Sequence, residues 1–232
     1  MMNSKQRIVW SSLAFLVATA GCGGHGSLLQ KGERIVFLGD SITQAGVKPD
    51  GYVTLISKTL SDQHTDLGIE VIGAGISGNK VPDLQQRLDR DVLEKKPTLV
   101  VIYIGINDVW HWRRNNGTPK DVYESGLKDI VGRVLASGAR VVLCTPSVIG
   151  EKHDGSNQFD LMLEEYSAIS RLVAAETGIT LCDLRKEFLD YENLHNMENQ
   201  EKGILTTDGV HLNDSGNQFV AETILAVLKG ER

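Results

Sequence analysis

The stretch RIVFLGDSIT, residues 34–43, begins as a strand and then breaks. Four apolar residues, Ile35 to Leu38, run straight into Gly39-Asp40-Ser41. A continuous apolar run, rather than an alternating one, marks a strand buried on both faces, as in a parallel sheet. The same kind of run returns at Glu70–Gly73, Thr98–Ile104, Arg140–Thr145 and Thr180–Asp183. Small and polar residues follow these runs repeatedly: Gly39-Asp40-Ser41, Gly75-Ile76-Ser77-Gly78-Asn79, Gly105-Ile106-Asn107-Asp108 and Thr145-Pro146-Ser147.

Between the runs the period changes to that of helices. Tyr123, Leu127, Ile130 and Val134 form one apolar stripe, and Met162, Tyr166, Ile169 and Val173 form another. Thr118 is placed to cap the first of these helices, Pro119 to open it and Gly138 to end it. In the last helix Ser215 and Gln218 stand at capping-box spacing, ahead of the stripe Val220, Ile224, Val227 and Leu228. Strand and helix in alternation predict an α/β fold. The expected form is a three-layer α/β/α sandwich around a central parallel sheet of about five strands, flavodoxin-like, with right-handed crossovers. In such open sheets ligands bind beyond the carboxyl ends of the strands. The three post-strand segments that carry Gly with Ser, Asn or Asp are therefore expected to border one crevice.

The chain has 232 residues, a net charge of −6 and 41% hydrophobic residues. That suits one globular catalytic domain, 33–232, and gives no support for nucleic-acid binding. The beginning reads separately. Lys5 and Arg7 precede an apolar run from Ile8 to Ala20, and the small residues Ala20-Gly21-Cys22 close it. This is the layout of a secretory signal, residues 1–22, and the run falls short of the roughly 20 residues of a membrane span. Cys22 after Ala-Gly resembles the lipidated cysteine of bacterial lipoprotein signals, although Thr19 stands where Leu is usual. The expectation is an exported protein, periplasmic or at the cell surface, touching membrane only through a lipid on Cys22. Residues 23–32 read as a short tether. Cys144 and Cys182 sit inside apolar runs and read as small buried hydrophobes.

Hydrolysis by an activated hydroxyl needs a nucleophile, a base held by an orienting group, and donors for the oxyanion. Ser41 stands at a strand end and suits the first role. Of the six histidines, His25 lies in the tether, and His64, His153 and His195 lie in polar surroundings. His111 follows the third strand end. His211 lies in TTDGVHLND, residues 206–214, three positions after Asp208 and just before the last helix. A tight turn there brings the carboxylate to the ring and fixes its tautomer. Asn107 offers a side-chain N–H and Gly78 a backbone N–H for the oxyanion. Trp110, His111 and Trp112, with Arg113 and Arg114, read either as substrate-binding residues or as a lid packed on the rim. No His, Asp or Glu set falls at a recognised metal-ligand spacing, and no cofactor is called for.

Four blocks together resemble the SGNH, or GDSL-type, serine esterase/lipase family. Gly39-Asp40-Ser41-Ile42 is similar to its first block, Gly78 to its second, Asn107 in Gly105-Ile106-Asn107-Asp108 to its third, and Asp208 with His211 to its last. The resemblance implies Ser41, His211 and Asp208 as the catalytic residues, and Ser41, Gly78 and Asn107 as the oxyanion hole. It implies a carboxylic ester hydrolase working through an acyl-enzyme. The export signal favours a short acyl group, acetyl, on a carbohydrate-type substrate over a lysophospholipase or thioesterase activity. Two rivals belong to other classes. Gly73-Ala74-Gly75-Ile76-Ser77-Gly78 spells the dinucleotide fingerprint of an oxidoreductase, but it follows the second strand, and Pro82 comes where the fingerprint helix should already run. An anchored, non-catalytic binding protein is the other.

Overall fold

The computed structural model describes residues 26–231. The leader, the first residues of the tether and Cys22 lie outside the described residues. Five strands form one sheet in the order β2-β1-β3-β4-β5, all parallel: β1 (Arg34–Gly39), β2 (Glu70–Gly75), β3 (Leu99–Tyr103), β4 (Arg140–Cys144) and β5 (Thr180–Cys182). The α/β sandwich expected from the alternation is the one observed. β1, β3 and β4 each have neighbours on both sides, with β3 at the centre. Ile35, Val36, Phe37 and Leu38 are fully buried, as are Leu99 to Ile102. Truncating a side chain such as Phe37 to Ala costs about 3–5 kcal/mol at a site of this kind.

The helices fill two layers. α3 (Val81–Asp91), α5 (Lys120–Ala136) and α6 (Asp160–Thr177) pack in sequence against one another. α2 (Tyr52–Gln63), α8 (Asp214–Lys229) and α7 (Leu184–His195) form the second set. Two short helices follow strand ends directly, α1 (Ser41–Gly46) after β1 and α4 (Ile106–Trp110) after β3. The chain steps from β1 outward to β2, then returns past β1 to β3 and continues to β5. This reversal is a topological switch point, and it opens a crevice between the carboxyl ends of β1 and β3.

Several local expectations are corrected. Helix α5 begins at Lys120 with Pro119 preceding it, so Thr118 does not cap it. Asn213, not Ser215, caps α8: its Oδ1 accepts from Gly216 N at 2.8 Å, while Ser215 is exposed. In α6 the buried stripe runs through Leu163, Tyr166, Ser170 and Val173, with Met162 and Ile169 on its flank. The tether docks from Ser27 onward. Leu28 and Leu29 find apolar surface on the core, Leu28 N donates to Leu228 O at 2.8 Å, and Arg140 donates to Leu28 O at 2.6 Å. Cys144 and Cys182 stand in register on adjacent strands, buried and unpaired.

The G-x-G-x-x-G segment has a packing explanation. A Cβ on Gly75 would lie 2.2 Å from Gln44 N, and one on Gly73 would lie 2.2 Å from the Val47 side chain. These glycines let α1 and the residues after it lie against the edge strand β2. Pro82 sits in the first turn of α3, where a missing N–H costs nothing.

Two buried ionisable groups stand out in this frame. Arg87 on α3 is 7% exposed and donates to Gly39 O at 2.8 Å, Ala74 O at 2.9 Å, Asn79 Oδ1 at 2.7 Å and Asp91 Oδ2 at 3.1 Å. One guanidinium thus joins the carboxyl ends of β1 and β2 to the loop that follows. Glu192 on α7 is fully buried, and neither carboxyl oxygen has a partner among the described residues. Burial, and next the nearby charge of Glu151, push its carboxyl from 4.5 up to about 9.

Arg87→Leu should destabilise the protein by on the order of 3 kcal/mol in urea unfolding, since it strands several buried acceptors at once. Glu192 carries a proton in the folded state that the unfolded chain gives up near its ordinary carboxyl value. Folding therefore loses stability as pH rises from about 5 to 9. The melting temperature of Glu192→Gln minus that of the wild type is expected to grow across this window. A constant difference would show that Glu192 is not the buried acid.

Candidate active site

The crevice collects residues from three strand ends and from the irregular segment 196–213 between α7 and α8. Gly39 ends β1, and a Cβ there would lie 2.1 Å from Thr43 Oγ1 and 2.5 Å from Tyr103 O. Only glycine lets the chain turn this tightly between β3 and α1. Asp40 then accepts from Ile42 N at 2.9 Å and caps α1, so Ser41 becomes the first helical residue. First-turn N–H groups have no acceptor within their own helix, so the Ser41 N–H is not spent inside α1.

Ser41 Oγ lies 3.0 Å from His211 Nε2, and His211 Nδ1 lies 2.8 Å from Asp208 Oδ2. The carboxylate partner assigns the proton to Nδ1 and leaves Nε2 as the acceptor for the Ser41 hydroxyl. Asp208 is held in turn by its own turn: Oδ1 accepts from Val210 N at 3.0 Å and from His211 N at 2.8 Å. Partial burial works to raise the Asp208 carboxyl, but the bonds from His211 and Val210 outweigh it and hold it below the usual range. Trp110 meets the imidazole edge-on, with ring centroids 6.1 Å apart, and the Arg113 guanidinium lies 3.9 Å from the Trp110 ring centre on the same side chain.

Asn107 and Gly78 follow the two strands that flank β1. Asn107, 4% exposed in α4, donates one N–H to Asn79 O at 3.1 Å, which leaves its second N–H without a partner among the described residues. Gly78 has φ +79°, a conformation that favours glycine, and open space where a Cβ would be. Asp108 beside Asn107 accepts from Val81 N at 3.1 Å and fixes the start of α3. Burial raises the Asp40 carboxyl to about 7 and that of Asp108 to about 6, both above the usual carboxylate range.

The structure thus brings Ser41, His211 and Asp208 into one hydrogen-bonded chain, with Asn107 and Gly78 on neighbouring strand ends. The aromatic cluster divides. Trp110 joins the site and also walls a cleft of about 370 Å³ with Arg113, Lys152, Gln158, Phe159 and Asp208. His111 is half-buried and does not line this cleft; partial burial, and then the charges of Lys80, Arg113 and Arg114, lower its pKa. Trp112 turns away: its Nε1 lies 3.3 Å from the Tyr166 hydroxyl, and its ring packs where a Cβ on Gly117 would sit. Arg87 and Glu151 escaped the sequence reading. A charged residue inside a polar helix or loop looks solvated until its burial is known.

The model of the GDSL-like lipase/acylhydrolase family matches residues 37–219. An acetylxylan esterase of Geobacillus stearothermophilus is 30% identical over 211 residues, 84% of this chain and 93% of that one. The crystal structure of an acetyl xylan esterase, AlAXEase, matches with a TM-score of 0.82 at 45% identity, covering 84% of this chain and 99% of its own. Structures of catalytic mutants of the Geobacillus enzyme, each with a serine, an aspartate or a histidine replaced by alanine, match with TM-scores of 0.75 at 27–28% identity, covering 86% of this chain and 95% of theirs. In that enzyme the aspartate and histidine are three positions apart, as Asp208 and His211 are. The lipoprotein YqeF of Bacillus subtilis is 25% identical over 240 residues, 90% of this chain and 93% of its own. A nucleophile-like serine after β1, an Asp-x-x-His turn before the last helix and this match over most of the length lead to one conclusion: the chain belongs to the GDSL-like lipase/acylhydrolase family and is a carboxylic ester hydrolase.

Proposed function

We propose that the protein removes acetyl groups from carbohydrates by a serine-esterase mechanism, with Ser41, His211 and Asp208 as its catalytic triad. The observation that carries this reading is the 3.0 Å contact between Ser41 Oγ and His211 Nε2, backed at 2.8 Å by Asp208. Ser41 Oγ attacks the ester carbonyl while His211 Nε2 takes its proton. Asp208 stabilises the imidazolium so formed. The tetrahedral oxyanion is met by the N–H groups of Ser41 and Gly78 and by the second side-chain N–H of Asn107. Collapse expels the sugar alcohol, which receives the proton from His211 and leaves Ser41 acetylated. Water activated by His211 then releases acetate. Asp40 and Asp108, with carboxyls spent on backbone N–H groups, shape the loops and do not react.

The substrate class rests on two supports. Relatives of similar length are acetylxylan esterases. The cleft beside Asp208 offers Trp110 and Phe159 as apolar walls and Ser156 and Gln158 as polar ones, a mixture suited to a sugar ring. The signal-like layout of residues 1–22 and the cysteine at its end support export with a lipid on Cys22.

Ser41→Ala should lower kcat on 4-nitrophenyl acetate by a factor on the order of 10⁴ or more. Asn107→Ala should lower it by about 10²–10³. A Ser41→Ala protein with wild-type turnover would end the triad reading. Wild-type kcat/KM is expected to be higher for acetyl than for octanoyl esters of 4-nitrophenol, and acetate should be released from acetylated xylan. Preference for the octanoyl ester would move the assignment toward lysophospholipid or thioester substrates.

A further inference from the structure

The pair Asp208 and His211 sits on residues 196–213, a segment with no helix or strand of its own beyond a single bridge between Thr206 and Leu212. Long irregular segments hold catalytic geometry only where something rigid grips them. The grip comes from two residues in the loop after β4. Gly150 N donates to Gly209 O at 2.8 Å. Glu151, fully buried, accepts from three consecutive backbone N–H groups: Ile204 at 2.8 Å, Leu205 at 2.6 Å and Thr206 at 2.6 Å. Thr206 passes the hold forward, since its hydroxyl accepts from Gly209 N at 3.0 Å. Asp208 is therefore bracketed on both sides by contacts that lead back to Gly150 and Glu151.

We propose that Glu151 is a positioning residue for ester hydrolysis: its carboxylate holds the backbone of Ile204, Leu205 and Thr206 and so keeps Asp208 and His211 in line with Ser41. This rests on the triad reading of Ser41, His211 and Asp208. Among the described residues no cation lies within ion-pair distance of Glu151. A buried carboxylate without a cation is costly unless charge-assisted bonds satisfy it, and here the main chain of the loop supplies them. Its neighbour Glu192, kept protonated by burial, supplies no bond to it among the described residues. Asn196 completes the frame: its Nδ2 donates to Glu151 O at 2.7 Å and to Gln200 O at 2.8 Å. The consequence is kinetic. A displacement of about 1 Å in reacting groups costs on the order of 10²-fold in rate.

Glu151→Gln tests this, because it keeps the shape but turns one acceptor oxygen into an NH2 facing N–H donors. Rates on 4-nitrophenyl acetate are measured well below the variant's own melting temperature. The expected result is a fall in kcat of at least about tenfold with KM within about twofold. In a His211→Ala background the same change should alter the residual rate less than about twofold, because Glu151 acts through His211. Glu151→Asp keeps the charge with a shorter reach and should lose less than Glu151→Gln; it decides the matter if Glu151→Gln does not fold. A folded variant with wild-type kcat, or an equal loss with and without His211, overturns the proposal and leaves Glu151 a stabilising residue only. If His211→Ala itself leaves kcat unchanged, the triad reading fails and this proposal falls with it. If His211→Ala abolishes turnover while Glu151→Gln does not lower it, only the positioning role is lost.

Discussion

The in-register pairing of β1 with β3, which sets Gly39 beside Tyr103, is the constraint on which the rest of this structure depends. It places the switch point of the sheet between those two strands and brings both of their carboxyl ends to one crevice. Ser41 follows the first and Asn107 follows the second. Neither is free to move far, because each belongs to a short helix that begins within two or three residues of a fully paired strand. The register also explains why Gly39 cannot carry a side chain: the Tyr103 carbonyl and the Thr43 hydroxyl occupy that space.

Much of this was legible before any coordinate. Strands buried on both faces announce themselves as unbroken Val, Ile and Leu runs, so five of five strands fell within two residues of their observed limits at each end. Ser41, Asp208 and His211 were legible because each departs from its surroundings: a hydroxyl after a core strand, and a carboxylate three positions from an imidazole in a glycine turn. Helix starts were less so. Thr118 and Ser215 had good capping chemistry, yet Pro119 and Asn213 took those positions, since the path of the incoming chain decides which residue stands at the first turn. Trp112 failed for a related reason. Neighbouring residues in a tight helical turn point in different directions, and Trp110 and Trp112 go to opposite sides of it.

The residues that sequence could not show share one physical feature. Arg87 and Glu151 are both buried and both bond several backbone groups: Glu151 accepts from three N–H groups, and Arg87 donates to two carbonyls beside its pair with Asp91. No side-chain pattern marks such a site, because the partners are carbonyl oxygens and N–H groups that every residue carries. The two are complementary. The guanidinium collects carbonyls at the ends of β1 and β2, beside the loop that carries Gly78 and Asn79. The carboxylate collects N–H groups of the segment that brings Asp208 and His211. Asp40 and Asp108 meet burial in another way, with fewer donors and carboxyls raised toward neutrality.

This division of labour follows from how a catalytic pair must be assembled across the chain. A nucleophile and its oxyanion donors can come from strand ends, since the sheet fixes strand ends relative to one another. The base cannot come from the same strands without crowding the crevice that the substrate must enter. It has to arrive from outside, on a segment long enough to reach over the sheet, and length brings conformational freedom that costs about 1–2 kcal/mol for each residue fixed. Side chains that bond several consecutive backbone groups remove that freedom efficiently, because one buried carboxylate orders three residues at once. The loop after β4 supplies that carboxylate from a strand end of its own. The segment that carries Asp208 and His211 is thereby tied to the same sheet that positions Ser41, so the two halves of the candidate site share one frame.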